Sequence, residues 1–153
     1  MIPLKIKTIG IVANIEKENI AGHVKSLKKW LEEKGVQVFL EMEISRKISV
    51  AGGLTWHDLA RRSELVVALG GDGTMLRAAH YLAGHRVPLL GINLGSFGYL
   101  TEVNLNEVQS TLELIIGGKF MTEKRMMLDV SIRHGKTLVH VGSVLNDVVI
   151  NRG

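Results

Sequence analysis

Residues 64–74 are Glu64-Leu65-Val66-Val67-Ala68-Leu69-Gly70-Gly71-Asp72-Gly73-Thr74, an apolar run that leads directly into a glycine-rich loop. A nearly continuous apolar run of this length is typical of a strand that is covered on both faces, as in a parallel sheet. In an open α/β sheet, ligands bind at the carboxyl ends of the strands, where loops lead into helices. We therefore expect the loop at 70–74 to lie at the ligand-binding edge of such a sheet.

The sequence before this stretch predicts a βαβ unit. Residues 4–12 are rich in β-formers, and Gly35 separates a helical segment from a second strand at 36–40. Apolar residues recur at helical spacing in that segment, at Ile20, Val24, Leu27 and Leu31. Residues 43–53 lack clear periodicity and predict no regular element, and Gly52-Gly53 indicates a loop that leads into a short helix near 54–59.

The sequence after the loop continues the alternation. We predict a helix from Met75 to Leu82, a strand over 87–92 and a further helix that follows a capping box at Asn104 and Glu107. From residue 121 the pattern changes, because strand-like segments at 127–132 and 137–150 are joined by a turn at His134-Gly135. Consecutive strands without a helix between them indicate antiparallel pairing.

The predicted fold class is therefore α/β: an open, mostly parallel sheet with flanking helices, followed by the first strands of a second, antiparallel β-rich domain. We expect the α/β nucleotide-binding domain to cover residues 1–120 and the second domain to begin in residues 121–153. Strand edges near Gly153 would need covering, so we expect that second domain to be truncated.

Composition excludes several classes of protein. The 153 residues contain no cysteine, which rules out disulfides and thiolate metal sites and favours the cytoplasm. No apolar run approaches the length of a membrane span. The net charge is +4, but the basic clusters are interleaved with acidic residues on helical segments, so we expect neither a nucleic-acid partner nor a membrane partner.

The loop at 70–74 suits a bound phosphate. Its glycines let the backbone approach a ligand closely, and the helix that follows adds its positive N-terminal end. Asp72 would repel a phosphate, so a role as proton acceptor or as a contact for a divalent cation is more reasonable. The structural alternative is that Asp72 or Thr74 is an ordinary helix N-cap.

Three motifs in order resemble those of the NAD kinase family. Gly-Gly-Asp-Gly-Thr after an apolar strand is similar to the signature of a superfamily that includes NAD, diacylglycerol and sphingosine kinases. Residues 91–102, Gly-Ile-Asn-Leu-Gly-Ser-Phe-Gly-Tyr-Leu-Thr-Glu, resemble the second NAD kinase motif, and residues 145–150, Leu-Asn-Asp-Val-Val-Ile, resemble the third. The resemblance covers essentially the whole chain.

This resemblance implies phosphorylation of the adenosine-ribose 2′-hydroxyl of NAD by ATP or another triphosphate, giving NADP. It implies that Asp72 is the catalytic proton acceptor and that a divalent cation, with Mg²⁺ favoured, accompanies ATP, although no metal ligand is assigned. The implied NAD contacts are Asp72, Gly73, Arg77, Asn146 and Asp147, and the implied triphosphate contacts are Gly70, Gly71 and Thr74. The resemblance also implies a homo-oligomer for the complete protein.

Two departures and two rival functions accompany the resemblance. Tyr99 stands where the family usually has Phe, and Asp147 stands where it frequently has Glu. Tyr99 is either a ligand contact or a core residue. The rivals are a lipid or sugar kinase of the same superfamily and a dinucleotide-binding fragment without turnover. Gly135-Lys136-Thr137 imitates the end of a Walker A loop, but it joins two predicted strands, so we predict a hairpin turn there.

Overall fold

The computed structural model describes residues 6–95, 98–146 and 148–149. The chain divides into two units, residues 1–122 and residues 123–153. Among the described residues, no helix is both long enough and apolar enough to cross a membrane.

The first unit is built on a five-stranded sheet in which every pair of neighbouring strands is parallel. Its strands are β1 (Thr8–Ala13), β2 (Gln37–Leu40), β3 (Leu65–Gly70), β4 (Leu89–Asn93) and β5 (Val103–Asn104). They lie in the order β2-β1-β3-β4-β5, so the chain turns from one side of β1 to the other between β2 and β3. The predicted parallel sheet is confirmed, and its topological switch point lies between β1 and β3.

In the part of the chain that the structure describes, five helices cover this sheet. They are α1 (Ile20–Glu33), α2 (Met42–Lys47), α3 (Trp56–Arg62), α4 (Asp72–Leu82) and α5 (Val108–Ile116), the last preceded by a 3-10 turn at Leu105–Glu107. The helix predicted from the spacing of Ile20, Val24, Leu27 and Leu31 is confirmed, and all four side chains are buried. The predicted capping box at Asn104 and Glu107 is also present.

The core lies on both faces of the sheet. All six residues of β3 are buried, because its side chains alternate between two apolar clusters. Leu65, Val67 and Leu69 pack with α1, α2 and α5, whereas Val66 and Ala68 pack with α3 and α4. This two-sided burial explains why β3 has an almost unbroken apolar sequence.

Three predicted boundaries differ from the structure. The segment 43–53, for which no regular element is predicted, contains most of α2. This helix is too short to show a periodicity, and its N-cap is Glu41, whose carboxylate accepts a hydrogen bond of 2.9 Å from the backbone N–H of Glu43. Helix α4 begins at Asp72, three residues before the predicted start at Met75, so most of the glycine-rich loop is the first turn of a helix. The last predicted strand ends at Val144.

The second unit is an antiparallel hairpin of β6 (Leu128–His134) and β7 (Thr137–Val144). Gly135 has a φ of 60° in the turn, so Gly135-Lys136-Thr137 belongs to a hairpin, as predicted. Every described side chain of β6 except Val130 is exposed, including the apolar Leu128 and Ile132. The antiparallel pairing is the predicted one.

Candidate active site

Three loops meet at the carboxyl edge of the parallel sheet. The loop after β1 is joined to β3 by a hydrogen bond of 2.9 Å from the backbone N–H of Asn14 to the carbonyl of Leu69. The loop after β4 is joined to β3 by a bond of 2.8 Å from the N–H of Leu94 to the carbonyl of Gly70. Backbone hydrogen bonds therefore fix the loops on both sides of the β3 loop.

The first turn of α4 leaves space for a ligand. A Cβ atom on Gly71 or Gly73 would meet nothing within 4 Å, so packing within the protein does not require glycine at either position. At Gly70, by contrast, a Cβ would overlap the hydroxyl of Thr74. The backbone at Gly71 and Gly73 is thus open to a close approach from outside.

Asp72 is not a helix N-cap. The N-cap of α4 is Gly71, and no side chain forms a capping hydrogen bond there. The Asp72 carboxylate instead accepts hydrogen bonds from the loop after β4. Its Oδ2 accepts from the N–H of Tyr99 at 2.6 Å, and its Oδ1 accepts from the N–H groups of Leu100 at 2.9 Å and Thr101 at 3.2 Å. The N-cap interpretation of Asp72 is therefore wrong, and the carboxylate connects two loops of the sheet edge.

These donors act on the charge of the carboxylate. Hydrogen bonds from the backbone N–H groups of Leu100 and Tyr99 hold the pKa of Asp72 below its ordinary value. Gly98 leaves the necessary room, since a Cβ there would overlap Oδ1 of Asp72 and the hydroxyl of Thr101. Asp72 is accordingly a fixed anion at the edge of the sheet.

Arg77 lies one turn into α4 and is exposed. Its guanidinium forms an ion pair with Glu43 of α2 and lies 5.6 Å from the centre of the Trp56 ring. Trp56 in turn stacks on Tyr81 with 4.7 Å between the ring centres. Arg77 is thus positioned by a carboxylate and an aromatic face of its own chain.

A cleft of about 370 Å³ opens between the loop after β1 and the first turns of α4. Its lining residues are Ala13, Asn14, Lys17, Gly71, Gly73, Thr74 and Arg77. Four of the predicted residues therefore share one cleft, and Gly70 and Asp72 adjoin it in sequence. Lys17 was missed in the sequence, although its place just after a predicted strand that ends at the ligand-binding edge was a usable signal.

The remaining predicted residues are distributed differently. Asn146 is exposed and lies beyond the end of β7, in the second unit, while Asp147 falls outside the described residues. Tyr99 is 99% exposed, so its interpretation as a core residue is wrong. Among the first unit's acids, Glu41 is only 4% exposed, and this burial raises its pKa.

The chain is similar to known NAD kinases. It is 38% identical to the NAD kinase of Geobacter metallireducens over 97% of this chain and 52% of that protein. It is 36% identical to the NAD kinase of Natranaerobius thermophilus over 97% of this chain and 52% of that one. The chain thus spans about half the length of the curated relatives that it matches.

Solved structures share the fold. A yeast NADH kinase complexed with NADH superposes with a TM-score of 0.78 at 18% identity, covering 92% of this chain and 47% of that one. An NAD kinase from Archaeoglobus fulgidus in complex with ATP gives a TM-score of 0.57 at 23% identity, covering 88% of this chain and 56% of that one.

Residues 9–120 match the ATP-NAD kinase N-terminal domain. This match covers most of the chain and contains Asp72 and the loops that surround it. The chain belongs to the NAD kinase family.

Proposed function

We propose that this protein is an NAD kinase, which transfers a phosphoryl group from ATP to the adenosine-ribose 2′-hydroxyl of NAD and forms NADP. The observation that carries the proposal is the position of the Asp72 carboxylate. Asp72 is the first residue of α4, and its carboxylate is held by backbone N–H groups of the loop after β4. The relatives named NAD kinase support the reaction, and the solved relatives that hold NADH or ATP support its two ligands.

In this proposal, Asp72 accepts the proton of the attacking hydroxyl. Oδ1 accepts hydrogen bonds from Leu100 and Thr101, whereas Oδ2 accepts one hydrogen bond from Tyr99. A carboxylate oxygen has two acceptor directions, so Oδ2 retains one for the substrate hydroxyl. A low pKa keeps the carboxylate ionised near neutral pH. Phosphoryl transfer depends chiefly on positioning and charge neutralisation, so it demands little strength from the base.

The triphosphate contacts proposed are Gly70, Gly71 and Thr74. They lie at the N-terminus of α4, where backbone N–H groups and the helix dipole favour an anion. Gly70 would contact the triphosphate through its backbone, because the Thr74 side chain occupies the place where a side chain on Gly70 would stand.

A divalent cation, Mg²⁺ in our proposal, would neutralise triphosphate charge when it is bound. The described residues contain no group of three histidines or acids that could hold a metal ion. Magnesium commonly binds through substrate phosphates and water with few protein ligands, so the donor set at the sheet edge fits an ion that arrives with the nucleotide. Asp72 is the nearest carboxylate in sequence to the proposed triphosphate contacts.

The NAD contacts proposed are Asp72, Gly73, Arg77, Asn146 and Asp147. Arg77 suits a diphosphate or ribose group because its planar fork donates two parallel hydrogen bonds. We also propose that the α/β unit up to about residue 120 is a nucleotide-binding domain and that the β-rich part from about residue 121 is the beginning of a dinucleotide-binding domain. A cytoplasmic location and a homo-oligomeric assembly complete the proposal.

The test is NADP formation from NAD and Mg²⁺-ATP. The chain should be assayed alone and also joined to the C-terminal half of the Geobacter metallireducens relative, since this chain spans 52% of that protein. We expect the joined protein to form NADP and Asp72→Asn to lower its kcat by about 10²–10⁴-fold.

The matched control for this test is Asp58→Asn, which removes an exposed carboxylate from α3. It should leave kcat within about twofold, as is usual for surface changes. A folded joined protein that forms no NADP would contradict the proposed reaction. Near-normal turnover of Asp72→Asn would contradict the role of Asp72.

A further inference from the structure

Lys17 lies in the loop after β1, beside the topological switch point of the sheet. In open α/β sheets, ligands bind in the crevice where the chain reverses its direction of strand addition. Here that crevice is bounded by the loop after β1 on one side and by the first turn of α4 on the other. A cation on the β1 side therefore faces the proposed phosphate-binding turn.

The backbone at Lys17 is fixed by a tight turn. The N–H of Lys17 donates to the carbonyl of Asn14 at 3.2 Å, and the N–H of Ile20 donates to the carbonyl of Lys17 at 3.3 Å. The side chain of Asn14 accepts a hydrogen bond of 3.0 Å from the N–H of Glu16. This turn is itself held against β3 through Asn14 and Leu69. These hydrogen bonds thus fix the backbone from which the Lys17 side chain extends.

The side chain of Lys17 reaches across the sheet edge. It lines the cleft of about 370 Å³ together with Gly71 and Thr74. Its Nζ lies 3.8 Å from the place where a Cβ would stand on Gly95, in the loop after β4. The ammonium group therefore lies where all three loops converge.

The charge balance in the cleft favours Lys17 as the available cation. Among the described residues, the basic side chains that line the cleft are Lys17 and Arg77, and Arg77 is already paired with Glu43 and placed over Trp56. No ion pair of Lys17 occurs within the described parts of the chain. Its acidic neighbours Glu16 and Glu18 do not line the cleft. An anion entering the cleft would therefore meet an ammonium group that pairs with no carboxylate of the described residues.

Two of the proposed triphosphate contacts, Gly71 and Thr74, line the cleft, as do two of the proposed NAD contacts, Gly73 and Arg77. The Asp72 carboxylate accepts hydrogen bonds from Tyr99, Leu100 and Thr101 of the loop after β4, and Asp72 is not among the described lining residues of the cleft. In-line phosphoryl transfer requires the attacking oxygen and the leaving oxygen on opposite sides of the transferred group. If the 2′-hydroxyl of NAD lies at Asp72, then the part of the triphosphate beyond the transferred phosphoryl group extends toward the cleft and Lys17.

From these observations we infer that Lys17 binds the triphosphate of the phosphoryl donor, as a specific contact in addition to the glycine-rich turn. Its compact charge on a flexible stem suits a phosphate oxygen. The inference rests on the proposed function and adds a second loop to its donor site.

The test measures binding of Mg²⁺-ATP and, separately, of NAD to the 153-residue chain by isothermal titration calorimetry. The variants are Lys17→Ala and the charge-conserving Lys17→Arg. Lys25→Ala is the matched control, because Lys25 is an exposed lysine on α1 outside the cleft. We expect Lys17→Ala to weaken ATP binding by about 10–100-fold, which is the range for a charge-assisted hydrogen bond. Lys17→Arg should retain most of the affinity, and Lys25→Ala should match the unchanged chain.

The outcomes separate the inference from the proposed function. ATP binding that is equally tight in the unchanged chain and in Lys17→Ala overturns the inference and leaves the proposed function standing. A loss of NAD affinity with ATP affinity retained also overturns it, because Lys17 would then serve the acceptor. Failure of the unchanged chain to bind ATP overturns the proposed donor site together with the inference. Thermal unfolding of each variant shows that a loss of binding is not a loss of fold.

Discussion

The two units of the chain bury their apolar side chains to very different extents. In the first unit, every residue of β3 is buried between two layers of helices. In the second unit, β6 exposes every residue except Val130, and Leu138 and Val139 of β7 are also exposed. The first unit therefore carries its own core and most of the candidate active site, whereas the described part of the hairpin contributes strand pairing without an apolar core of its own. Two-stranded hairpins are at best marginally stable alone.

The largest expected contrast is between Leu69→Ala and Ile132→Ala. Leu69 is 1% exposed in β3 and Ile132 is 53% exposed in β6. We expect Leu69→Ala to lower the free energy of unfolding by about 2–5 kcal/mol, because it leaves a cavity in a packed core. Ile132→Ala should change it by less than about 1 kcal/mol.

Urea unfolding followed by helical circular dichroism measures this contrast, because all helices of the described residues lie in the first unit. Equal destabilisation by the two substitutions would mean that the hairpin has a buried role that its exposure does not indicate.

A second contrast compares two glycines. Ala at Gly98 would collide with Asp72 and Thr101, so it should displace the carboxylate from its backbone donors and destabilise the first unit by about 1–3 kcal/mol. Ala at Gly135 would meet no atom, but the φ of 60° there should cost about 1 kcal/mol, confined to the hairpin.

Amide NMR shifts locate the two effects. Gly98→Ala should move the signals of Tyr99, Leu100 and Thr101, and Gly135→Ala should move those of β6 and β7. Unchanged shifts at residues 99–101 in Gly98→Ala would argue against the contact between Asp72 and this loop.

The third prediction concerns the stability of the first unit at low pH. The folded state holds the pKa of Asp72 below its ordinary value of about 4. Such a group stabilises the fold fully at pH values above its ordinary pKa, and this contribution is lost as the pH falls through the lower, folded value. Below about pH 4 the first unit should therefore lose stability, and in Asp72→Asn this part of the decline should be absent. Acid titrations of both proteins by circular dichroism test this; superimposable acid limbs would exclude a contribution from Asp72.

The smallest expected effect is that of Glu43→Gln. Both members of the Arg77–Glu43 pair are roughly half exposed, so removing the charge should change the free energy of unfolding by less than about 1 kcal/mol. Freed from Glu43, Arg77 should bind NAD up to about fivefold more tightly in calorimetry. Glu123→Gln removes the partner of Arg125 in the second unit and is the matched control, with no expected change in NAD affinity. Weaker NAD binding in Glu43→Gln would mean that the pair holds Arg77 in its binding position.

Much of the fold follows from periodicity in the sequence. Strand β3 was predictable because burial on both faces leaves an almost unbroken apolar run. Helix α1 was predictable because burial on one face leaves apolar residues at helical spacing. Helix α2 was not predictable in this way, because six residues span less than two turns and its cap is an acid rather than Ser, Thr or Asn. The end of β7 was missed because the β-branched residues Val148, Val149 and Ile150 follow soon after the last ladder pair at Val144.

The candidate site was only partly predictable. The glycines and Asp72 stand out by their spacing, and their place at the end of β3 follows from the rule for parallel sheets. The partners of Asp72 could not be predicted, because they are backbone N–H groups, which every residue except proline carries. Lys17 was overlooked because a lysine among glutamates resembles any solvated turn.

The stack of Trp56 on Tyr81 beneath the Arg77 guanidinium has one practical consequence. The chain has two tryptophans, and one of them, Trp56, lies beside Arg77 of the proposed site. A ligand that draws Arg77 toward itself removes a positive charge from the face of this indole and so changes its emission. The protein therefore carries its own optical reporter, and occupancy of the site can be followed by fluorescence without any attached dye.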